Sequence, residues 1–265
     1  MRIYANPTEA LRETERDLWE MGITTHPASM QSKRVVGNED YATKELRAYG
    51  FQMSGRGLLS MTDIRGLIAY LFPKDQVESV FNYIQREFTD RFQSATPSNP
   101  GNSFRARPDI WNEFLRPDGT FHYTYSERIV PQFVAVIDRL KSDLDSRQGI
   151  IQIFDALDRV SRYKNADTSE REYRWELGQD QLFASGVGRI PCSMYYQLMV
   201  REGKLDLIYT MRSCDFLTHF VVDFVLAMLL QDLAATIVGV QIGTFTYFTG
   251  SLHAYQKDMR VRGIF

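Results

Sequence analysis

Two cysteines in a chain of 265 residues are too few for a disulfide framework. They are Cys192 and Cys214, widely spaced and without clustered histidines, so no zinc-binding pattern is present and no metal is expected. Charge of one sign is missing too: 31 basic and 33 acidic residues leave a formal net charge of -2. With neither a basic field nor an acidic tail, nucleic acid is not an expected partner, and any basic site must be local. Residues 1–7 lack the apolar core of a secretory signal. The longest apolar run, residues 220–230, is interrupted by Asp223 and reads as too short to span a bilayer. Internal repeats and low-complexity tracts are absent as well. Together these absences predict a soluble, cytoplasmic protein with no membrane partner, long enough for one large domain or two small ones.

The stretch richest in chemistry is residues 189–215. Cys192 follows Pro191, and two apolar-rich runs follow, joined by a short polar turn at residues 201–204. This pattern predicts a cysteine at a strand start, a hairpin, and Arg212 delivered at the far end of the second strand. A fixed positive charge near a thiol favours the thiolate, which makes Cys192 a candidate nucleophile.

Elsewhere the punctuation is mostly helical. Residues 7–21 read as a helix opened by Pro7 and Thr8, with Leu11, Leu18 and Met21 on one face. Residues 24–34 read as a loop. Residues 38–49 read as a second helix with Asn38 as its N-cap candidate. The Gly-x-Gly within residues 54–57 is weak evidence for phosphate binding. Residues 62–73 and 74–92 read as two further helices, and residues 94–107, rich in Ser, Pro, Asn and Gly, as a loop. Residues 130–141 form a helical pattern with Phe133, Ile137 and Leu140 on one face. Residues 150–154 read as a buried strand, and an apolar helix runs to about Ala235.

In its Pro-Cys, Tyr-Gln strand, turn and Arg-Ser-x-Asp, this chain resembles thymidylate synthases and their relatives, the pyrimidine nucleotide hydroxymethylases. The resemblance runs from about Leu140 to Tyr255, with patchier matches earlier. It implies an α+β fold with a mixed, mostly antiparallel sheet packed with helices. It also implies a homodimer formed through the sheet, and a single domain over residues 1–265 with a helical insertion around residues 51–107. The implied co-substrate is 5,10-methylenetetrahydrofolate, and the implied substrate is a pyrimidine nucleoside monophosphate. Family members normally continue through further strands to a C-terminus that closes over the folate. Here ten residues follow Tyr255, which implies a truncated chain, a diverged folate pocket or a weak enzyme.

Residue by residue, the resemblance makes Cys192 the nucleophile and places Glu45, within the expected helix, on the catalytic glutamate. Arg212 and Ser213 match phosphate contacts, and Asp215 matches the carboxylate that meets the folate pterin. Trp111, in an Ile-Trp-x-x segment, matches a tryptophan beside the folate, while Phe114 replaces the second tryptophan. Tyr125 matches a tyrosine of the proton-relay network. Arg147 matches the first of two arginines that cross the dimer to the partner's nucleotide phosphate, and Gln148 replaces the second. Arg159, Arg162 or Lys164 could supply the missing charge; a solvated loop is the other reading. Arg34 or Lys33 matches, by position only, a basic residue of the N-terminal phosphate loop. His253 and Tyr255, in Gly-Ser-Leu-His-Ala-Tyr, match residues that hold the sugar hydroxyl. Ser193 replaces the histidine after the nucleophile, and His219 replaces a glycine near the folate.

Asp223 falls where thymidylate synthases carry the asparagine that reads the base. Cytosine offers an acceptor at N3 and an amino donor at C4; uracil offers the reverse. A carboxylate accepts from the amino group and faces a uracil carbonyl unpaired, a mismatch that discriminates strongly when buried. Deoxycytidylate hydroxymethylases resemble this chain in carrying an aspartate there. The other reading is an acid favoured at a helix N-terminus. The resemblance thus implies one-carbon transfer to carbon 5 of a cytidylate, giving the 5-hydroxymethyl nucleotide. Methylation of dCMP or dUMP, and a nucleotide-binding protein without catalysis, stand as alternatives.

Overall fold

A computed structural model describes residues 1–30, 33–155 and 190–264. Its centre is a seven-stranded sheet in the order β1-β5-β9-β8-β7-β6, with β2 also paired to β5. The strands are β1 (Arg2–Tyr4), β2 (Ile23–Thr25), β5 (Thr43–Met53), β6 (Gly149–Gln152), β7 (Ser193–Arg201), β8 (Lys204–Asp215) and β9 (Gln241–Tyr255). Pairs β1–β5 and β8–β9 are parallel, and the remaining pairs of the sheet are antiparallel. The mixed, mostly antiparallel sheet is therefore as expected. Two-residue strands β3 (Ser29–Met30) and β4 (Lys33–Arg34) pair separately, so residues 24–34 are not a plain loop.

The hairpin at residues 201–204 is tight. Arg201 pairs with Lys204, and the two turn residues, Glu202 and Gly203, have φ of 52° and 72°. Two successive positive φ values give the turn a twist that matches the strands it joins.

The largest correction concerns residues 38–49. Asn38 does cap, accepting a hydrogen bond from the Asp40 amide at 3.0 Å, but it starts only a 3-10 turn over Glu39–Tyr41. The chain then becomes β5, between β1 and β9. Beyond Ala48, Tyr49, Phe51 and Met53 are buried at two-residue spacing, and Phe51 packs in the core against Tyr4, Tyr247 and Phe224. That alternation, with cross-strand partners on both sides, outweighs the helical tendency of Glu-Leu-Arg-Ala.

Helices cover the sheet. They are α1 (Pro7–Met21), α2 (Met61–Leu71), α3 (Val77–Phe88), α4 (Pro108–Trp111), α5 (Tyr125–Ser142), α6 (Val221–Val238) and α7 (Gln256–Val261). Helices α2 and α3 put Ile64, Leu67, Ile68, Val80, Phe81 and Ile84 into the one apolar core, so residues 51–107 are part of the body of the fold. Helix α6 is apolar on every side and buried nearly all round, as a central core helix must be. Phe216–Val238 is long and apolar enough to cross a membrane, contrary to the shorter run read from the sequence, yet 67% of its 18-residue apolar window is buried inside the fold. The Gly-x-Gly loop serves this helix rather than a phosphate. Its Arg56 is buried, donating to Met228 O at 3.0 Å and Gln231 Oε1 at 2.6 Å, and pairing with Asp232 at 2.8 Å.

One kink crosses the sheet and sets up the site. Ala48 of β5 has φ of 51°, and beside it Gly250 of β9 runs so close to Arg212 of β8 that a Cβ would lie 2.8 Å from the Arg212 carbonyl oxygen. Burial along β9 changes phase there, from Phe245, Tyr247 and Thr249 to Leu252 and Ala254. Irregularities of this kind re-aim side chains. Here consecutive residues Arg212 and Ser213 are both left half-buried rather than alternating in and out.

Candidate active site

Cys192 lies just before β7, half-buried, with its sulfur approached from β8. Arg212 Nη2 is 3.8 Å and Ser213 Oγ 3.9 Å from Cys192 Sγ. Arg212 also holds the cysteine loop: Nε donates to Pro191 O and Nη2 to Ile190 O, each at 3.0 Å. Its backbone N–H donates to Cys192 O at 2.8 Å, and Nη1 donates to Ser213 Oγ at 2.8 Å. The nucleophile candidate and its cation are thus fixed to one another by backbone as well as side chain. Ser193 is fully buried and points away, sharing a 2.7 Å hydrogen bond with Tyr209. Cys214 is buried, and burial pushes its thiol well above the ordinary value, so it packs rather than reacts.

Beyond the kink, three strands present a polar row. Glu45 of β5 pairs with His253 of β9, and His253 pairs with Asp215 of β8. Ser251 donates to Glu45 Oε1 and lies 3.2 Å from His253 Nδ1. Burial pushes the His253 imidazole below its ordinary value against the opposing charges of Asp215 and Glu45, so the ring is neutral at neutral pH. Tyr255 sits edge-on to His253 at 5.2 Å between ring centres and feels Asp215, Cys192 and Arg212. Asp215 is drawn into capping the π-helical segment Phe216–Phe220. Its Oδ1 accepts from Leu217 N at 3.1 Å and its Oδ2 from Thr218 Oγ1 at 2.5 Å. His219, on that segment, is exposed.

A second group of residues surrounds a pocket lined by Glu87, Asp90, Arg91, Phe104, Trp111, Phe121, Tyr123 and Tyr125, among others. Trp111 and Tyr125 are therefore brought to one cavity. Arg91, in the π-helical segment Thr89–Gln93 after α3, lies with its guanidinium carbon 4.4 Å over the Tyr125 ring. It donates to Glu87 Oε2, and its Nη1 lies 3.7 Å from Asp223 Oδ1 in the first turn of α6. Burial alone would push Glu87 up, but Arg91 and a hydrogen bond from Tyr83 at 2.9 Å hold it below the usual carboxylate range. Behind Asp223 stand Tyr196 and Tyr209, stacked 4.5 Å apart, then Tyr247. Cys214 feels both Asp223 and Cys192, so the pocket and the cysteine belong to one region of the fold.

A family model described as thymidylate synthase matches residues 98–262. The chain belongs to the thymidylate synthase family. The putative thymidylate synthase of Methanocaldococcus jannaschii is 27% identical over 135 residues, 51% of this chain and 52% of that protein. The chain thus spans about half the length of this curated relative. The fold resembles thermostable thymidylate synthase A from Bacillus subtilis, with a TM-score of 0.60, 16% identity, and coverage of 98% of this chain and 84% of that one. Thymidylate synthase from T4 phage aligns with a TM-score of 0.54 and 17% identity, covering 95% and 78%.

Seen as a thymidylate synthase fold, the site keeps some expected residues together and separates others. Cys192, Arg212, Ser213, Asp215, His253 and Tyr255 converge, as do Trp111, Tyr125 and Asp223. Arg147 is exposed just before β6, at the sheet edge away from β5; its carbonyl accepts from Gln197 at 3.1 Å. Arg34 lies in β4, and its side chain, like that of Lys33, is outside the described residues. Arg159, Arg162 and Lys164 are outside them as well. Glu45 is on a strand rather than a helix, in the His253 row rather than the aromatic pocket. The carboxylates that line that pocket with Trp111 and Tyr125 are Glu87 and Asp90, and sequence reasoning passed over both. A signal was available: Val80, Tyr83, Ile84 and Glu87 follow helical spacing, putting an acid on the apolar face of α3 with Arg91 four residues on.

Proposed function

We propose that this protein transfers a one-carbon unit from 5,10-methylenetetrahydrofolate to carbon 5 of a cytidylate, dCMP or CMP, giving the 5-hydroxymethyl nucleotide. The observation that carries this reading is Arg212 Nη2 at 3.8 Å from Cys192 Sγ, with Ser213 beside it. Family membership supports pyrimidine chemistry, and Asp223 in place of an amide supports cytidylate.

The folate supplies the carbon. The aromatic walls at Trp111, Phe121 and Tyr123 suit a flat heteroaromatic ring, so the residues present fit such a group. Asp215, already accepting two hydrogen bonds, retains lone pairs for a pterin donor.

Cys192 adds as thiolate to carbon 6 of the ring, and carbon 5 becomes an enamine-like nucleophile. Arg212 and Ser213 hold the nucleotide phosphate next to the attacking sulfur. Neutral His253 and Tyr255 bind the sugar hydroxyl, with Glu45 orienting His253 through Ser251. Glu87, ionised in its pocket, handles the proton lost from carbon 5 together with Tyr125. Loss of the carbon 5 proton releases tetrahydrofolate, water adds to the exocyclic carbon to give the hydroxymethyl group, and cleavage of the carbon 6–sulfur bond returns Cys192 as thiolate. Two copies pair through the sheet, and Arg147 reaches the partner's phosphate; Arg34 closes over it from the N-terminal segment. The test is turnover of dCMP, CMP and dUMP with methylenetetrahydrofolate in oxygen-18 water. A cytidylate product carrying a hydroxymethyl group with labelled oxygen is expected. Methylated dUMP as the main product would overturn the cytidylate assignment.

A further inference from the structure

The guanidinium of Arg91 is bracketed by two carboxylates and a ring. Its side chain is only 8% exposed, its Nε serves Glu87, and its Nη1 faces Asp223 at 3.7 Å, too far for a hydrogen bond. Nη1 is buried with no hydrogen-bond partner among the described residues, and fully buried Tyr196 also senses Arg91 and Asp223. Buried donors are seldom left unpaired, so Nη1 suits a partner that brings a hydrogen-bond acceptor.

We propose that Arg91 determines base specificity: it keeps Asp223 a carboxylate that accepts from the 4-amino group of cytosine, while its own unpartnered Nη1 donates to N3. This rests on the cytidylate reading above. The pair presents an acceptor and a donor side by side, matching cytosine without any proton uptake by Asp223. A carboxylate alone meets the amino group and N3 together only when protonated.

Among the described residues, the other groups that face Asp223 are paired or neutral. Glu87 is neutralised by Arg91. Tyr125 from α5, Tyr196 from β7, Tyr209 and Cys214 from β8, and Tyr247 from β9 all face the region. Burial pushes Tyr196, Tyr209, Cys214 and Tyr247 up, so they stay neutral at physiological pH. Among the described residues, Arg91 is the cation paired with Asp223.

The experiment is calorimetric binding of dCMP and dUMP, from about pH 5.5 to about pH 8. It uses the full chain, Arg91→Met, and Arg91→Met/Glu87→Gln, which avoids an unpaired buried Glu87 if the single variant folds poorly. Taking the ratio of the two affinities cancels titration of the shared phosphate. The wild-type ratio should favour dCMP and stay flat with pH. In the variants it should fall about tenfold at the alkaline end and recover toward the acid end, as Asp223 protonates and donates to N3 itself. Adding Asp223→Asn should abolish that pH dependence. Equal loss for both nucleotides, with no pH dependence of the ratio, would reduce Arg91 to a structural residue and leave the cytidylate reading standing. A wild type that prefers dUMP, or binds neither, would overturn the cytidylate reading and this inference with it.

Discussion

At the scale of single residues, the site is a set of side chains held in place by their neighbours. Cys192→Ala removes the proposed nucleophile while the hydrogen bonds of Arg212 run to the carbonyls of Ile190 and Pro191. Turnover should fall by about a thousandfold or more, while nucleotide affinity, measured by calorimetry, changes little. A parallel loss of affinity would mean that the sulfur is a packing group. His253 makes a pH prediction. Its folded-state pKa lies below the ordinary value, so above about pH 6.5 both folded and unfolded states hold it neutral. As pH falls through that value the unfolded chain takes up the proton first, and stability is lost. Urea melts between about pH 5 and about pH 7 should show a steeper loss for the wild type than for His253→Gln.

At the scale of elements, the kink through Ala48, Gly250 and Arg212 joins fold to chemistry. Gly250→Ala would place a Cβ 2.8 Å from the Arg212 carbonyl oxygen, and two neighbouring strands cannot both keep their positions. The expected cost is about 1–3 kcal/mol in a denaturant melt, with a drop in activity larger than stability alone explains, because Arg212 moves with its strand. The buried Arg56–Asp232 pair ties the loop after β5 to α6. Arg56→Met should cost about 3–5 kcal/mol, and Arg56→Met/Asp232→Leu should recover much of it.

The elements also show what could be read in the chain and what could not. The hairpin was legible because Glu202-Gly203 carries its own turn chemistry, and α1 and α6 because their apolar patterns are long. Strand β5 was not, since Glu-Leu-Arg-Ala favours a helix locally and only its partners β1, β2 and β9 make it extended. The misread element held a site residue: Glu45 was expected on a helix and lies on a strand, while Glu87 and Arg91 lie in and just after a helix without an obvious counterpart. The grouping of Cys192, Arg212, His253 and Tyr255 was legible because each lies in a local motif on a strand, or for Cys192 just before one, that the sheet brings to one place. The Arg91–Asp223 contact joins residues far apart in sequence, and no local pattern announces it.

At the scale of the whole molecule, exposed Phe248 of β9 and Ile150 of β6 lie on the sheet, an apolar surface suited to pairing with a second copy. The chain should sediment at twice its 30.7 kDa, and Phe248→Asp should shift it to the monomer with loss of turnover. A wild type that stays monomeric at high concentration would remove Arg147 from the site.

The most direct test of the central claim is release of tritium from carbon 5 of labelled dCMP, CMP and dUMP, with and without methylenetetrahydrofolate, by the wild type and by Cys192→Ala. Folate-dependent release by the wild type alone is the predicted result, and the faster nucleotide identifies the sugar. Release from dUMP alone, or from no nucleotide despite measurable binding, would contradict it.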